Sequence, residues 1–163
     1  MLQVTINGQA HEFSAGTSIL GALREVRIEV PTVCHDDRLA PSGACRLCSV
    51  EIAGWNRYAT ACNTLLANGM SIETHSPGVE ATRRTLLQLL AENYPAEAAR
   101  AFPEKEFHRY LAQYGVSPSN GLFVRRLDPD ASHPYIHVDM AQCITCFRCV
   151  RICNELQGQF VWK

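Results

Sequence analysis

Eight cysteines fall into two groups, Cys34, Cys45, Cys48 and Cys62, then Cys143, Cys146, Cys149 and Cys153, with eighty residues between them that hold none. Thiols grouped this way must converge on an inorganic centre or pair off as disulfides, and either demand fixes the loops that carry them. The 163 residues, 47% of them apolar, suffice for one domain of ordinary size or two small ones and exclude a large catalytic body. Fifteen Lys and Arg against sixteen Asp and Glu give a net charge of -1. That balance lacks the basic footprint of a nucleic-acid binder, so no nucleic acid is expected as a partner. No window approaches the ~18 apolar residues of a membrane span, and the opening Met1-Leu2-Gln3-Val4-Thr5 lacks the regions of a signal peptide. A soluble, cytoplasmic chain without direct membrane insertion is therefore expected. In that compartment disulfides have little reason to form, and the apolar content makes such staples unnecessary.

The pattern around the first group predicts a small α+β domain. Leu2–Ile6 and Gln9–Phe13 flank Asn7-Gly8, a strong hairpin signal. Thr17 or Ser18 can cap a helix with Ile19, Leu20, Leu23 and Val26 at helical spacing, ending before Pro31. Cys48–Ala53 and Met70–Thr74 alternate as strands. Strands around a single helix imply a sheet curled over that helix, with the cysteine loop between helix and next strand. From Gly78 the period becomes helical, with Leu86, Leu89, Leu90 and Tyr94 on one face and Asn93-Tyr94-Pro95 closing it. A further helix is expected from Pro103, with Phe107, Tyr110, Leu111 and Tyr114 on one face and Gly115 as its cap. Both stripes read as core. Residues 116–134 are turn-rich, and Phe160-Val161-Trp162-Lys163 reads as a strand, as if the chain were a fragment or a truncated subunit.

The first group is spaced Cys34-x10-Cys45-x2-Cys48-x13-Cys62. A pair two residues apart, one cysteine ahead and a distant one behind, follows the logic of plant-type [2Fe-2S] sites, although the leading gap is longer than theirs. Ser42-Gly43-Ala44 removes bulk where the backbone approaches the inorganic sulfur. The second group, Cys143-x2-Cys146-x2-Cys149-x3-Cys153, has the bacterial ferredoxin spacing for [4Fe-4S] clusters, in which the fourth cysteine commonly serves the other cluster of a pair. Asn154 stands where proline usually follows. Four thiolates also suit structural zinc at the first group. Three successive short gaps suit a single zinc ion poorly at the second. His35, beside Cys34, is more natural as a hydrogen-bond partner than as an iron ligand, since four cysteines already fill the coordination. Arg148 and Arg151 either offset charge at the second group, form a docking patch, or make a solvated basic face.

Pro31-Thr32-Val33-Cys34-His35, Ser42–Glu51 and Thr60-Ala61-Cys62 resemble the N-terminal [2Fe-2S] domain shared by several redox enzymes. These are the large iron-sulfur subunit of respiratory complex I, the diaphorase subunit of NAD-reducing hydrogenases, the [FeFe] hydrogenases, and the NAD-linked molybdenum or tungsten formate dehydrogenase alpha subunit. The resemblance covers nearly the whole chain. It implies a β-grasp [2Fe-2S] ferredoxin-like domain over residues 1–78, a helical linker layer over 79–127, and the start of a [4Fe-4S] ferredoxin-like unit over 128–163. Cys34, Cys45, Cys48 and Cys62 would hold the [2Fe-2S] cluster. Cys143, Cys146 and Cys149 would hold the [4Fe-4S] cluster, with Cys153 closing it or serving a second one.

Members of these families usually place one histidine and three cysteines between the two groups, spaced His-x3-Cys-x2-Cys-x5-Cys, for another cluster. Here Tyr94, Ala98, Ala101 and Phe107 take those positions, so that cluster is expected to be absent, which favours a formate dehydrogenase-like parent. There is no Gly-rich dinucleotide or phosphate loop and no room for a molybdopterin domain, so no catalytic residue is expected within the chain. The expected function is an electron-transfer module relaying between a catalytic molybdenum or tungsten domain or subunit and a flavin/NAD-binding subunit. The alternatives are an [FeFe] hydrogenase or complex I-like relay, a free-standing ferredoxin-like carrier and, more remotely, a zinc-stabilised interaction module.

Overall fold

Asn7 and Gly8 both have positive φ, 50° and 80°, the combination a two-residue type I′ turn requires. This turn joins β1 (Leu2–Ile6) to β2 (Gln9–Phe13) in a register running from Leu2 opposite Phe13 to Ile6 opposite Gln9. The computed structural model describes residues 1–119 and 129–159. Three more strands, β3 (Ser49–Ile52), β4 (Ala59–Thr60) and β5 (Ser71–Glu73), complete a mixed sheet of order β2-β1-β5-β3-β4. Among the described strand pairs, only β1 and β5 run parallel to each other. Alternation sends Val4, Ile6, Val50, Ile52 and Ile72 inward, where they meet Ile19, Leu20, Ala22 and Leu23 of α1 (Ile19–Glu25). Each such aliphatic side chain contributes about 1.5–3 kcal/mol when fully buried.

Helix α1 starts where Ser18 Oγ accepts the Gly21 amide at 3.1 Å. It stops earlier than Pro31, because Arg27 at φ 60° turns the chain away. The Ile28 amide then donates to Leu23 O at 2.8 Å and the Arg27 amide to Arg24 O at 3.1 Å, closing the helix end with Ile28 against the core. The chain is thereby aimed into the loop that carries Cys34.

Two compact units are present: Met1–Arg83 with Phe147–Lys163, and Arg84–Cys146. The long helix α2 (Pro77–Ala91) has Pro at its first position behind Ser76, whose Oγ accepts the Val79 amide at 3.4 Å. Its buried row is Val79, Arg83, Leu87 and Ala91. Of the expected stripe of Leu86, Leu89, Leu90 and Tyr94, Tyr94 is buried, Leu86 and Leu90 are half-buried and Leu89 is 63% exposed, so the leucine part of the face is displaced. Hydropathy alone misassigns the face because an arginine occupies its centre.

In the second unit a short helix α3 (Ala96–Ala101), which the pattern did not reveal, follows Pro95. Helix α4 (Glu106–Gln113) begins three residues after Pro103, which lies in the preceding turn. Phe107, Leu111 and Tyr114 are buried as expected, and Gly115 follows the last turn. Tyr94 stands edge-on to Phe107 at 5.1 Å between ring centroids, and its hydroxyl donates to His108 Nε2 at 2.7 Å. His108 Nδ1 donates to Phe102 O at 2.6 Å, which fixes the tautomer. Burial of the Tyr94 phenol, helped by the Asp139 carboxylate, pushes its pKa up to about 12.

Further along the chain come a 3-10 turn at Met140–Gln142 and helix α5 (Arg148–Glu155). The expected strand at 160–163 and part of the turn-rich stretch, residues 120–128, lie outside the described residues.

Candidate metal centre

The first cysteine group sits where three parts of the sheet and helix domain meet. Cys34 lies in the loop after α1, Cys45 just before β3, Cys48 at its entrance, and Cys62 just after β4. Cys34, Cys48 and Cys62 are buried and Cys45 is half-buried. The Leu20 amide holds Ala61 O at 2.8 Å and the Ala61 amide holds Cys48 O at 3.0 Å, so helix, strand and the Cys62 turn are tied together by backbone alone. These bonds need no metal.

Within this frame the thiols form two pairs. The Cys45 thiol neighbours the Cys34 sulfur, which receives the Cys45 amide at 3.4 Å and the Ser42 hydroxyl at 3.7 Å. The Cys45 thiol is the largest influence on Cys34, and with the amides of Cys45 and Ala44 and the Ser42 hydroxyl it outweighs burial and lowers its pKa to about 5. Cys62 is likewise lowered to about 7, chiefly by the Cys48 thiol, with the Gly43 amide assisting. Their partners move the other way. Cys45 is pushed up chiefly by the neighbouring Cys34 sulfur, and Cys48 by the neighbouring Cys62 sulfur, with burial adding to both. Amides of Val33 and Leu47 also point at the Cys45 sulfur.

Gly43 explains why the loop can come so close. Its φ is +64°, and a Cβ there would lie 2.7 Å from Asn63 Nδ2 and 3.3 Å from Thr60 Oγ1. Only glycine fits without displacing the Thr60–Asn63 side-chain hydrogen bond. The expected need for low bulk thus has a protein-side cause as well as a cluster-side one.

This arrangement suits a dinuclear centre. A [2Fe-2S] cluster takes two thiolates on each iron and gains from amides aimed at sulfur, which matches four neighbouring thiols with the Cys45 amide on the Cys34 sulfur at 3.4 Å and the amides of Val33, Gly43, Ala44, Leu47 and Cys62 close to the group. One zinc ion needs all its thiolates around a single point. His35 does not join the thiols by a hydrogen bond; its Nε2 meets Asp37 Oδ1 at 2.9 Å.

The second group is built differently. Asp139 caps the 3-10 turn by accepting the Ala141 amide at 3.0 Å and the Gln142 side-chain amide at 2.6 Å, and Cys143 ends it. The Cys143 sulfur accepts the Thr145 amide at 3.4 Å. Thr145 and Phe147 both have positive φ, 52° and 60°, a strained path for residues with side chains. Cys143 and Cys146 belong to the Arg84–Cys146 unit. Cys149 and Cys153 lie one turn apart on α5 in the other unit. Cys143 and Cys149 are exposed. Arg151, between Cys149 and Cys153, donates to Ala40 O at 2.6 Å and pairs with Glu155 at 2.7 Å. Arg148 acts on the Asp36 carboxyl, which its neighbour Arg38 holds well below the usual carboxylate range. The α5 helix is thus fastened through Arg151 to the loop between Cys34 and Cys45, a contact the sequence did not disclose.

Tyr94, Ala98 and Phe107, three of the four positions aligned with the motif of one histidine and three cysteines, are buried, and Ala101 is exposed. No helix among the described residues is long and apolar enough to cross a membrane.

Residues 1–77 match the family described as the 2Fe-2S iron-sulfur cluster binding domain. The chain is similar to a subunit of the NADH-quinone oxidoreductase of Rhizobium meliloti (strain 1021), 36% identical over 163 residues that make up 97% of this chain and 19% of that protein. It is 32% identical over 161 residues to the NADPH-Fe(3+) oxidoreductase subunit alpha of Geobacter sulfurreducens, covering 97% of this chain and 19% of the relative. The NADP-reducing hydrogenase subunit HndD of Solidesulfovibrio fructosivorans is 32% identical over 166 residues, 96% of this chain and 28% of its own. The chain therefore spans about a fifth to a quarter of the length of these curated relatives. Among solved structures it resembles a chain of an NAD+-reducing [NiFe]-hydrogenase in the H2-reduced state, with a TM-score of 0.82 at 26% identity over 96% of this chain and 67% of that one.

Proposed function

We propose, from the match of residues 1–77 to the 2Fe-2S iron-sulfur cluster binding domains, that this chain is the iron-sulfur electron-transfer region of an NADH- or NADPH-linked oxidoreductase or hydrogenase complex. The observation that carries this reading is the gathering of Cys34, Cys45, Cys48 and Cys62 at one largely buried place, where the Cys34 sulfur accepts the Cys45 amide at 3.4 Å and the Ser42 hydroxyl at 3.7 Å. Cys34, Cys45, Cys48 and Cys62 would hold the [2Fe-2S] cluster, which supplies one-electron redox chemistry when bound. The protein's own contribution is binding and insulation. The sheet and α1 exclude water from three of the four sulfurs, and the loop amides offset negative charge on them.

The second group would hold a [4Fe-4S] cluster through Cys143, Cys146 and Cys149, with Cys153 closing it or serving another. The contact of Arg151 with Ala40 supports a relay between the two groups, because it ties the helix bearing Cys149 and Cys153 to the loop bearing Cys34. In this reading residues 1–78, 79–127 and 128–163 act as cluster domain, helical linker and second cluster unit. Catalysis belongs to a partner domain or subunit, and a flavin/NAD-binding subunit lies at the other end of the relay, in the cytoplasm.

Two parents remain in view. The matched relatives favour an NAD(P)H-linked complex I-like or hydrogenase complex. The aromatic and alanine side chains at Tyr94, Ala98, Ala101 and Phe107 favour a formate dehydrogenase-type molybdenum or tungsten complex. Anaerobic purification with iron and sulfide analysis tests the common core: about two irons and two sulfides are expected for the first group alone, and about six irons if the second is also filled. Reduction of the native complex by formate, and not by hydrogen, would select the formate dehydrogenase parent; the reverse would select a hydrogenase.

A further inference from the structure

Arg83 is fully buried in the middle of α2 and spends its guanidinium on the loop of the first cysteine group. Nε donates to Leu47 O at 3.1 Å and Nη2 to Ser49 O at 2.8 Å, so the carbonyls on both sides of Cys48 are held by one side chain. Nη1 pairs with Glu80 Oε1 at 2.7 Å, and Glu80 is itself part-exposed. Leu47 is engaged twice, since its amide points at the Cys45 sulfur while its carbonyl is taken by Arg83.

A buried guanidinium is costly to desolvate, and well-packed apolar residues often serve stability as well or better. Placing one here has a consequence an apolar residue lacks. The guanidinium is always protonated and cannot relieve its burial by losing a proton. A permanent positive charge therefore stands behind Cys48 in a low-dielectric setting, paired at 2.7 Å with a Glu80 carboxylate that is 36% exposed and so screened by solvent.

We propose that Arg83 is a positioning residue for the first cysteine group: it fixes the backbone on both sides of Cys48, and its buried charge raises the reduction potential of the cluster bound there. The inference rests on the reading that this group holds a [2Fe-2S] cluster. Adding an electron makes the centre more negative, so a nearby fixed cation favours the reduced form and removal of that cation disfavours it.

The test is an EPR-monitored redox titration of the full chain, with iron and sulfide measured on the same samples. Arg83→Gln is expected to move the midpoint to lower potential, and Arg83→Lys, which keeps the charge but not the fork, to move it less while altering the EPR line shape. Glu80→Gln leaves the carbonyl contacts of Arg83 in place and removes the counter-charge, so it is expected to move the midpoint up. An Arg83→Gln protein with full iron and sulfide and an unmoved midpoint would overturn the proposal. Should Arg83→Gln fail to assemble, an unmoved midpoint in Glu80→Gln overturns it instead. A wild-type chain without sulfide or a [2Fe-2S] signal would overturn the underlying reading, an outcome the metal analysis separates from the others.

Discussion

The two cysteine groups of this chain are held by opposite means. The first lies against a core built by β1, β3, β5 and α1, with three of its four cysteines buried and the Cys45 amide already on the Cys34 sulfur. The second is carried by a 3-10 turn, two residues at strained positive φ and a short helix, with two of its sulfurs exposed. A metal site supported by a core is organised before the metal arrives, whereas one made of exposed turns draws much of its order from the metal. The difference leads to the expectation that the first region keeps its order without metal and that the second loses it.

The largest expected effect is all-or-none. Cys48→Ser should abolish the [2Fe-2S] EPR signal while Cys149→Ser leaves it intact, and loss of the signal in both would erase the distinction. Next comes removal of iron by a chelator under reducing conditions. Amide hydrogen exchange should stay slow across β1, β3, β5 and α1 and become fast around residues 143–155, because only the latter relies on metal for its order. Equal loss in both regions would mean that the first group also folds by metal binding.

A smaller effect is expected for Gly43→Ala. Its positive φ costs about 1–2 kcal/mol for a side chain, and Asn63 must shift as well, so thermal unfolding should fall by several degrees with lower iron occupancy. The mildest effect is on pH dependence. Cys62 and Cys34, lowered to about 7 and about 5, are thiolates above those values, so iron loading there displaces protons mainly from Cys45 and Cys48. As pH falls through about 7 and then about 5, Cys62 and Cys34 take up protons that iron must also displace. Proton release per loading event, read by calorimetry in buffers of different ionisation enthalpy, should therefore rise toward acid and affinity should fall.

Much of the first region is legible in the sequence. Asn7-Gly8 announces the hairpin, Ser18 the helix start, and the spacing of Cys34, Cys45, Cys48 and Cys62 the type of centre, because each depends on local backbone chemistry. What escapes is set by contacts distant in sequence. β4 is a two-residue strand defined by pairing with β3, too short for any period to register. Arg83 carries no signal in the sequence, because its buried place is set by Leu47 and Ser49, more than thirty residues away. The leucine stripe on α2 is misplaced for the same reason, and Pro103 marks a turn because the helix waits for Glu106. Arg151 resembles a surface charge until Ala40, 111 residues away, is found against it.

The most direct test of the central claim is EPR of the dithionite-reduced chain after anaerobic reconstitution, with iron, sulfide and zinc measured on the same sample. The predicted result is a [2Fe-2S] signal with about two irons and two sulfides assigned to the first group, lost in Cys48→Ser and kept in Cys149→Ser. A colourless protein that holds zinc without sulfide, or a [2Fe-2S] signal that survives Cys48→Ser, would contradict it.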